Sequence, residues 1–242
     1  MTDYAVTFKQ VDKYFQNGTQ KVLHQMTAEI PKEVILTLVG PSGSGKSTLL
    51  SLCNLMLAPD HGEVFIDGKE VRDWNVNELR KYVGLAFQTP TMLPGTVEDN
   101  LMLAARLHQM ELQDAGKRLE YVGLPTSLLT RNAAELSGGQ KQRVALARTL
   151  VNPTSILLLD EVTSALDVSA AREIEQLIVN IQKQEKKTVL WVTHDLEQAK
   201  RVGDITWLLV DGELVEATDT QTFFQQPKKE ITRRFLKGEW SQ

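Results

Sequence analysis

The sequence predicts an α/β fold in which helices cover a parallel β-sheet, with an antiparallel β part near the N-terminus. Three short and nearly continuous apolar runs are typical of buried strands: Val34–Val39, Ile156–Leu159 and Thr188–Val192. The first run precedes a helical stretch, and each of the other two follows one. This alternation favours a parallel sheet, because the strands of such a sheet are covered by helices on both faces.

The first third of the chain is dominated by strand patterns. Ala5–Lys9 alternates weakly between apolar and polar residues, and Glu63–Val71 reads as a hairpin with an Asp-Gly turn between two arms of high β-propensity. The apolar run Val34–Val39 stops at a Gly-Pro pair, and a helix is predicted from about Lys46 to Leu57. The N-terminal third therefore combines antiparallel strands with the first strand of the parallel sheet.

Helical periodicity dominates the middle of the chain, from Val97 to Leu150, with breaks at Gly123–Pro125 and near Asn132. We interpret this stretch as a helical lobe inserted between strands of the core. Thr218–Leu236, which contains Pro227, is predicted to form a short amphipathic helical tail. The predicted organisation is a single domain over residues 1–242, with a core of 1–88 and 151–242 and a helical lobe of 89–150.

The composition excludes several classes of protein. The 242 residues include 27 Lys and Arg against 31 Asp and Glu, and the net charge of −4 argues against a dedicated nucleic-acid binder. The single cysteine, Cys53, excludes an intrachain disulfide and a four-cysteine zinc site. No apolar stretch approaches the ~20 residues of a membrane helix, and the N-terminus does not resemble a secretory signal. We therefore expect a cytosolic protein that does not cross a membrane by itself.

A glycine-rich loop between the first buried strand and its helix matches the phosphate-binding pattern GxxxxGK[ST]. Glycines let backbone N–H groups form a concave nest, and the helix N-terminus favours an anionic phosphate. Lys46 can reach the β- and γ-phosphates of a nucleotide, and the Ser47 hydroxyl can coordinate Mg²⁺. The alternative, a chance match, is expected in roughly one random chain in a hundred. The predicted nucleotide-binding residues are Gly40, Pro41, Ser42, Gly43, Ser44, Gly45, Lys46, Ser47 and Thr48.

Two acidic residues, Asp160 and Glu161, directly follow the buried run Ile156–Leu159. They are expected at the C-terminal edge of the sheet, where ligands bind in open α/β folds. Asp160 can share Mg²⁺ with Ser47, and Glu161 is placed to orient or deprotonate an attacking water. The alternative, an exposed acidic pair in a loop, is disfavoured after a buried strand in a chain with a phosphate-binding loop.

The motif LSGGQ at Leu136–Gln140 precedes the helix-forming run Lys141–Arg148, so that its N–H groups and Ser137 form a second anion-binding helix start. The chain resembles the ATP-binding-cassette (ABC) family of transport ATPases, in which LSGGQ is the signature motif. The resemblance rests on this motif and on the order in which the phosphate-binding loop, Gln88, the signature, the Asp160-Glu161 pair, the D-loop and His194 follow one another along the chain. The resemblance extends over nearly the whole chain. It implies a P-loop NTPase (RecA-like) core with an antiparallel β subdomain and an inserted helical lobe, and it implies hydrolysis of ATP with Mg²⁺.

The resemblance also implies roles for single residues. Phe15, or its neighbour Tyr14, matches the aromatic residue that stacks on adenine. Gln88 matches the glutamine that contacts Mg²⁺ and the attacking water, and His194 matches the histidine that contacts the γ-phosphate. The expected catalytic residues are Glu161, His194 and Gln88, and the expected Mg²⁺ ligands are Ser47, Gln88 and Asp160. Further nucleotide contacts are expected from Ser137, Gly138, Gly139 and Gln140 of the signature and from Asp167 of the D-loop.

In the family that the chain resembles, two cassettes pair head to tail. Each ATP would then lie between the Lys46 loop of one subunit and Ser137–Gln140 of the other. We expect a homodimer that drives an integral membrane permease on a separate chain, with a groove near Gln88–Asn100 receiving a helix of that permease. The protein would contact the cytoplasmic face of the cell membrane only through this partner.

Two sets of segments bear on the kind of transporter. The residues from Gln88 to Asn100, together with Asn132–Ser137 and Val189–Asp195, resemble those of Fet/YbbL-type cassettes, which are implicated in iron export and metal homeostasis. Phe223–Pro227 and Thr232–Leu236 resemble the end of polar amino-acid import cassettes, although a generic closing helix is an alternative there. A non-catalytic ATP-binding regulator is a rival of another class, but such a module would not need the water-activating carboxylate of Glu161.

Overall fold

The computed structural model describes residues 3–16, 18–107 and 114–239. In these ranges the strands are β1 (Tyr4–Phe15), β2 (Gln20–Pro31), β3 (Ile35–Val39), β4 (His61–Ile66), β5 (Lys69–Glu70), β6 (Val83–Ala86), β7 (Ile156–Asp160), β8 (Thr188–Val192), β9 (Ile205–Val210) and β10 (Glu213–Asp219). The helices are α1 (Lys46–Cys53), α2 (Val76–Tyr82), α3 (Val97–Leu107), α4 (Ala115–Tyr121), α5 (Gly138–Leu150), α6 (Val168–Glu185), α7 (Leu196–Val202), α8 (Thr220–Gln225) and α9 (Glu230–Leu236).

A six-stranded sheet in the order β10-β9-β3-β8-β7-β6 forms the centre of the fold. Its strands pair in parallel, except that the edge strand β10 runs antiparallel to β9. A second sheet, in the order β2-β1-β4-β5, is antiparallel. The three predicted buried strands are β3, β7 and β8, and the α/β fold class is confirmed.

The side chains of β7 alternate between two apolar layers, and this alternation helps to place the site. Ile156 and Leu158 face a layer shared with α1 and the antiparallel sheet, whereas Leu157 and Leu159 face a layer shared with α5 and α6. Because successive strand residues point to opposite faces of the sheet, Asp160 points to the same face as Leu158, which is the face covered by α1. Burial of each of these four side chains contributes about 1.5–3 kcal/mol to folding.

The helical part between β6 and β7 has an apolar cluster of its own. Leu101 of α3, Leu119 of α4 and Val144 of α5 are fully buried in it. Farther along α5, Leu146 and Leu150 pack instead in the layer below the parallel sheet. Helix α5 therefore joins the helical part to the core.

Two sequence predictions about helices are wrong. The first helix ends at Cys53 rather than Leu57, because Leu55 has a positive φ of 52° and the chain leaves the helical path. The tail is not one helix from Thr218 to Leu236, since its first two residues end β10 and Pro227 lies between α8 and α9. The hairpin around Asp67-Gly68 is present as β4 and β5. Within the ranges that the structure describes, no helix is both long and apolar enough to cross a membrane.

Candidate functional site

The glycine-rich loop runs from the end of β3 to the start of α1 and requires glycine at two positions. Gly40 has a φ of +148°, and a Cβ added there would lie 2.0 Å from the Leu209 carbonyl oxygen of β9. Gly45 has a φ of +98° and precedes α1 as its N-cap, and a Cβ there would lie 2.9 Å from the Val22 carbonyl oxygen of β2. The loop is thus pressed against the backbone of two strands, which fixes the direction in which α1 begins.

Replacing Gly40 by alanine is therefore expected to destabilise the protein by about 3 kcal/mol or more, since backbone atoms must move. The control is Gly43→Ala, at a φ of +78° but with nothing within 4 Å of the new Cβ, and it is expected to cost only about 1–2 kcal/mol of conformational strain. Urea unfolding of both variants measures the difference. Equal losses of stability would contradict the close approach of this loop to β9.

Lys46, the first residue of α1, turns its ammonium group back into the loop. Its Nζ donates hydrogen bonds to the carbonyl oxygens of Gly40 at 2.9 Å and Pro41 at 2.7 Å, and to Ser44 Oγ at 3.3 Å. Burial lowers the pKa of Lys46, while the nearby charges of Glu161 and Asp160 act in the opposite direction. The ammonium group is thus held inside the loop, beside backbone N–H groups of the kind that fit a phosphate chain.

Ser47 and Asp160 come together as the sequence predicts, although they are 113 positions apart in the chain. The Ser47 hydroxyl donates a hydrogen bond of 2.9 Å to Asp160 Oδ1. Burial raises the pKa of Asp160, the Glu161 charge adds to this effect, and the Ser47 hydrogen bond opposes it. Hydroxyl and carboxylate oxygens are the hard ligands that Mg²⁺ prefers, and these two lie close enough together to share one ion, so both residues fit Mg²⁺.

Gln88, Glu161 and His194 follow the C-terminal ends of the adjacent strands β6, β7 and β8, and the sheet brings them together. The Glu161 carboxylate lies 3.4 Å from His194 Nδ1 and 3.4 Å from Gln88 Nε2. Gln88 Nε2 also donates to Ser164 Oγ at 3.0 Å. Glu161 has a φ of +49°, and its N–H donates to the Val192 carbonyl at 3.1 Å. This unusual backbone conformation is held by a neighbouring strand, which is typical of functional positions.

The signature residues begin α5 with a capping box. Ser137 Oγ accepts the Gln140 N–H at 3.3 Å, and Gln140 Oε1 accepts the Ser137 N–H at 3.0 Å. A Cβ on Gly139 would lie 3.4 Å from the side chain of Ala170 in α6, so the signature packs beside the helix that Asp167 caps. Among the described residues that line the cleft beside Lys46, none comes from the signature.

The two candidate aromatic residues for a base differ in exposure. Phe15 is 36% exposed at the end of β1, opposite Gln20. Tyr14 is half-buried and packs edge-on against His61, with ring centroids 6.2 Å apart. Gln20 lines the cleft beside Lys46 together with Val22. The geometry thus favours Phe15 as the aromatic residue that a base can approach.

Sequence reasoning missed the polar groups that support this site. Gln142 of α5 is buried and donates to the Phe87 carbonyl at 3.1 Å, next to Gln88. Glu175 and Gln198 are buried beside Thr163, two positions after Glu161. The available signal was a glutamate and a glutamine in otherwise apolar positions of helices α6 and α7.

Relatives of known sequence cover nearly the whole chain. The chain is 56% identical over 236 residues to YjkB of Bacillus subtilis (strain 168), whose name describes an ABC transporter ATP-binding protein, and the match covers 97% of this chain and 94% of that protein. It is 34% identical over 253 residues to the methionine import ATP-binding protein MetN 2 of Oenococcus oeni (strain ATCC BAA-331 / PSU-1), with 98% and 71% covered.

Solved structures of cassettes have the same fold. One is cbiO1 from Clostridium perfringens, described as part of the ABC transporter complex cbiONQ, with a TM-score of 0.84, 27% identity, and 97% of this chain and 96% of that chain covered. Another is the ATP-binding cassette MJ0796 in a dimeric post-hydrolysis state bound to ADP and Pi, with a TM-score of 0.79, 31% identity, and 89% and 98% covered.

The sequence model of the family described as "ABC transporter" matches residues 23–164, which is more than half of the chain. The matched range includes the phosphate-binding loop, the signature and the Asp160-Glu161 pair. The match agrees with the fold, with the geometry at the ends of β6, β7 and β8, and with the relatives above. The chain belongs to the ABC transporter family, as an ATP-binding and ATP-hydrolysing subunit.

Proposed function

We propose that this chain binds Mg²⁺-ATP, pairs head to tail with a second copy, and drives an integral membrane permease on a separate chain. The observation that carries the hydrolytic part is the convergence of two side chains on the Glu161 carboxylate. Gln88 Nε2 and His194 Nδ1 each lie 3.4 Å from Glu161 Oε2. This cluster shares Glu161 with the cleft that Lys46 and Ser47 line. A water-activating group therefore lies beside the groups that hold phosphate.

In the proposed reaction, Glu161 takes a proton from a water molecule as the water oxygen bonds to the γ-phosphorus. The bond between that phosphorus and the leaving oxygen breaks, which gives ADP and phosphate, and Glu161 later releases the proton to solvent. Gln88 orients the water, and His194 donates a hydrogen bond to a γ-phosphate oxygen. Ser47 and Asp160 would hold Mg²⁺, which supplies neutralisation of the phosphate charge. Lys46 and the loop N–H groups bind the β- and γ-phosphates.

The second half of the phosphate site comes, in our proposal, from the signature of a second copy. The capping box uses the N–H groups of Ser137 and Gln140. Gly138 and Gly139 are the first two residues of α5, where backbone N–H groups have no partner within the helix and can bind an anion. The dimeric state of the MJ0796 cassette, bound to ADP and Pi, supports this arrangement. In addition to Phe15 and Lys46, each ATP would then contact Ser137, Gly138, Gly139, Gln140 and Asp167.

The permease partner is supported by the setting of cbiO1, which is part of the complex cbiONQ, and by a groove on this chain. The groove has a volume of about 440 Å³ and lies between the end of α1, β6 and α5. Its lining includes Phe87 and Leu103, which flank the predicted stretch Gln88–Asn100, but no residue of that stretch itself. Phe87 and Met56 are about half exposed in it, and Arg80 and Arg148 line it. An amphipathic helix that carries an acidic residue fits this lining. We place the chain at the cytoplasmic face of the membrane, held there by the permease.

The permease contact is tested with Phe87→Asp in the full chain. A charge in the groove is expected to lower the fraction of the protein recovered with washed membranes at least tenfold, because its burial against an apolar helix is costly. The control is Ile231→Asp, which changes a residue of similar exposure (41%) on α9, and it should leave recovery unchanged. Equal membrane recovery of both variants and the unmodified protein would contradict this docking site.

The transported substrate has two candidates. The resemblance of Gln88–Asn100 to Fet/YbbL-type cassettes favours metal export, whereas the match to a protein named for methionine import favours amino-acid uptake. Proteoliposomes that contain the chain and its co-purified permease distinguish them. The measurement is the ATP-driven movement of each substrate across the vesicle membrane, iron in the direction of export and methionine in the direction of uptake.

A further inference from the structure

A buried polar cluster lies directly beneath Glu161 and His194. Its centre is Glu175 of α6, which is 5% exposed and accepts hydrogen bonds from two arginines. Arg201 Nη2 donates at 2.9 Å to one carboxylate oxygen and Arg201 Nε at 3.2 Å to the other, and Arg172 Nη1 donates at 3.4 Å. The carboxylate is thus fixed in one orientation by a bidentate guanidinium contact.

Gln198 of α7 extends this cluster toward the site. It is 2% exposed, and its Nε2 donates to Glu175 Oε1 at 3.0 Å and to Thr163 Oγ1 at 2.8 Å. Its backbone N–H donates to Asp195 Oδ1 at 3.0 Å. Thr163 stands two positions after Glu161, and Asp195 directly follows His194. Gln198 therefore links the turn after β7, which its side chain contacts, to the turn after β8, which its backbone N–H contacts.

These groups are placed to act on the distance between the two turns. They line one cavity of about 240 Å³ that Glu161 and His194 also line. Glu161 Oε2 and His194 Nδ1 are 3.4 Å apart, yet the two residues follow different strands and His194 is largely exposed. A buried charged cluster is weak as a source of stability, because apolar side chains of similar volume stabilise a core at least as well. Its value is orientation, which a network of satisfied hydrogen bonds provides.

We propose that Thr163, Gln198 and Glu175 form a positioning network that sets the separation of Glu161 and His194 for ATP hydrolysis. The network touches neither the phosphate-binding loop nor the proposed Mg²⁺ ligands. Its loss should therefore affect the chemical step and leave ATP binding intact. The inference rests on the roles proposed above for Glu161 and His194.

The primary test is Thr163→Val, which keeps the shape of the side chain and removes the hydroxyl that Gln198 contacts. We expect kcat of the purified full chain to fall about 10- to 100-fold, the range for small misplacements of catalytic groups. The KM for ATP should change less than twofold. Thr163→Ser, which restores the hydroxyl, should recover most of the rate.

A matched control separates positioning from stability. Thr232 of α9 is buried as Thr163 is, and its Oγ1 donates to Glu216 Oε2 at 2.5 Å, far from the site in sequence. Thr232→Val also removes a buried hydroxyl from its hydrogen-bond partner, which here is the Glu216 carboxylate rather than the Gln198 amide. It should lower Tm but leave kcat unchanged. A double-mutant cycle of Thr163→Val with Gln198→Met should be strongly non-additive, with the double variant no slower than the slower single variant.

The outcomes separate this inference from the proposed site. If Glu161→Gln and His194→Ala lose turnover but Thr163→Val keeps kcat within twofold of the unmodified protein, the positioning network is wrong and the site stands. Equal falls of kcat in Thr163→Val and Thr232→Val would also overturn the network, since stability alone would then explain the loss. If Glu161→Gln keeps full turnover, the proposed site and the network fall together.

Discussion

Replacing Glu161 by glutamine is expected to stop ATP turnover while ATP binding continues. The amide keeps the size of the side chain but cannot take a proton from water, and general-base catalysis contributes about 10²–10⁴ in rate. The contacts of Lys46 and Ser47 do not involve this side chain, so the affinity for Mg²⁺-ATP should be retained. With hydrolysis stopped, ATP should hold two copies together, and size-exclusion chromatography with Mg²⁺-ATP should show a dimer.

The control for this variant is Glu63→Gln, which neutralises an exposed carboxylate on β4 away from the strand ends that form the site. It should keep normal turnover and form no long-lived dimer. Phosphate release measured over hours is sensitive enough to detect a residual rate. Glu161→Gln with the turnover of the unmodified protein would show that another group activates the water.

Replacing Asp160 by asparagine is expected to have opposite effects on activity and stability. Turnover should fall by about 10² or more, because the carboxylate that fits Mg²⁺ is lost together with its charge. Tm measured without added nucleotide should rise. Burial raises the pKa of Asp160 above its ordinary value of 3.8, which means that its charged form costs folding free energy.

The pH dependence of this stability gain follows from the same shift. The cost of the Asp160 charge is fully present above the raised pKa of the folded state and disappears once the pH falls below 3.8. The Tm difference between Asp160→Asn and the unmodified protein should therefore shrink as the solution is acidified. Asp73→Asn, at an exposed position, is the control and should shift Tm little at any pH. A variant less stable than the unmodified protein at neutral pH would contradict the argument.

The parts of this site that are formed by consecutive residues are the easiest to predict from the sequence. The Lys46 loop needs a strand, a run of glycines and a helix that are consecutive in the chain, so a short pattern is enough to predict it. The convergence of Gln88, Glu161 and His194 depends on the order of β6, β7 and β8 in the sheet. Glu161 could be predicted from its place directly after a buried strand, but Gln88 and His194 could be named only because the chain resembles a family, since no spacing in the sequence encodes strand order.

The mispredicted elements depend on contacts between distant residues. The end of α1 is stabilised by Arg80, which donates to the carbonyl oxygens of Asn54 and Leu55 from 25 or more positions away. Strand β2 escaped prediction because its fully buried residues, Leu23, Met26 and Ile30, are spaced three and four apart as in a helix. Irregular register with β1 produces this spacing. The split tail is fixed by Glu216, which binds two backbone N–H groups beyond Pro227.

Helix α5 begins at the signature and ends beside the groove, and this gives it the mechanics of a lever. Its 13 residues span about 20 Å, and a rotation of about 10° around one end would displace the other by roughly 3.5 Å. At the signature end, α5 would contact the phosphate of a bound nucleotide. At the far end lie Arg148 and Thr149, in the wall where we place the permease helix. If α5 moves as a rigid body, the hydrolysis of ATP at its signature end would displace the permease helix at its other end.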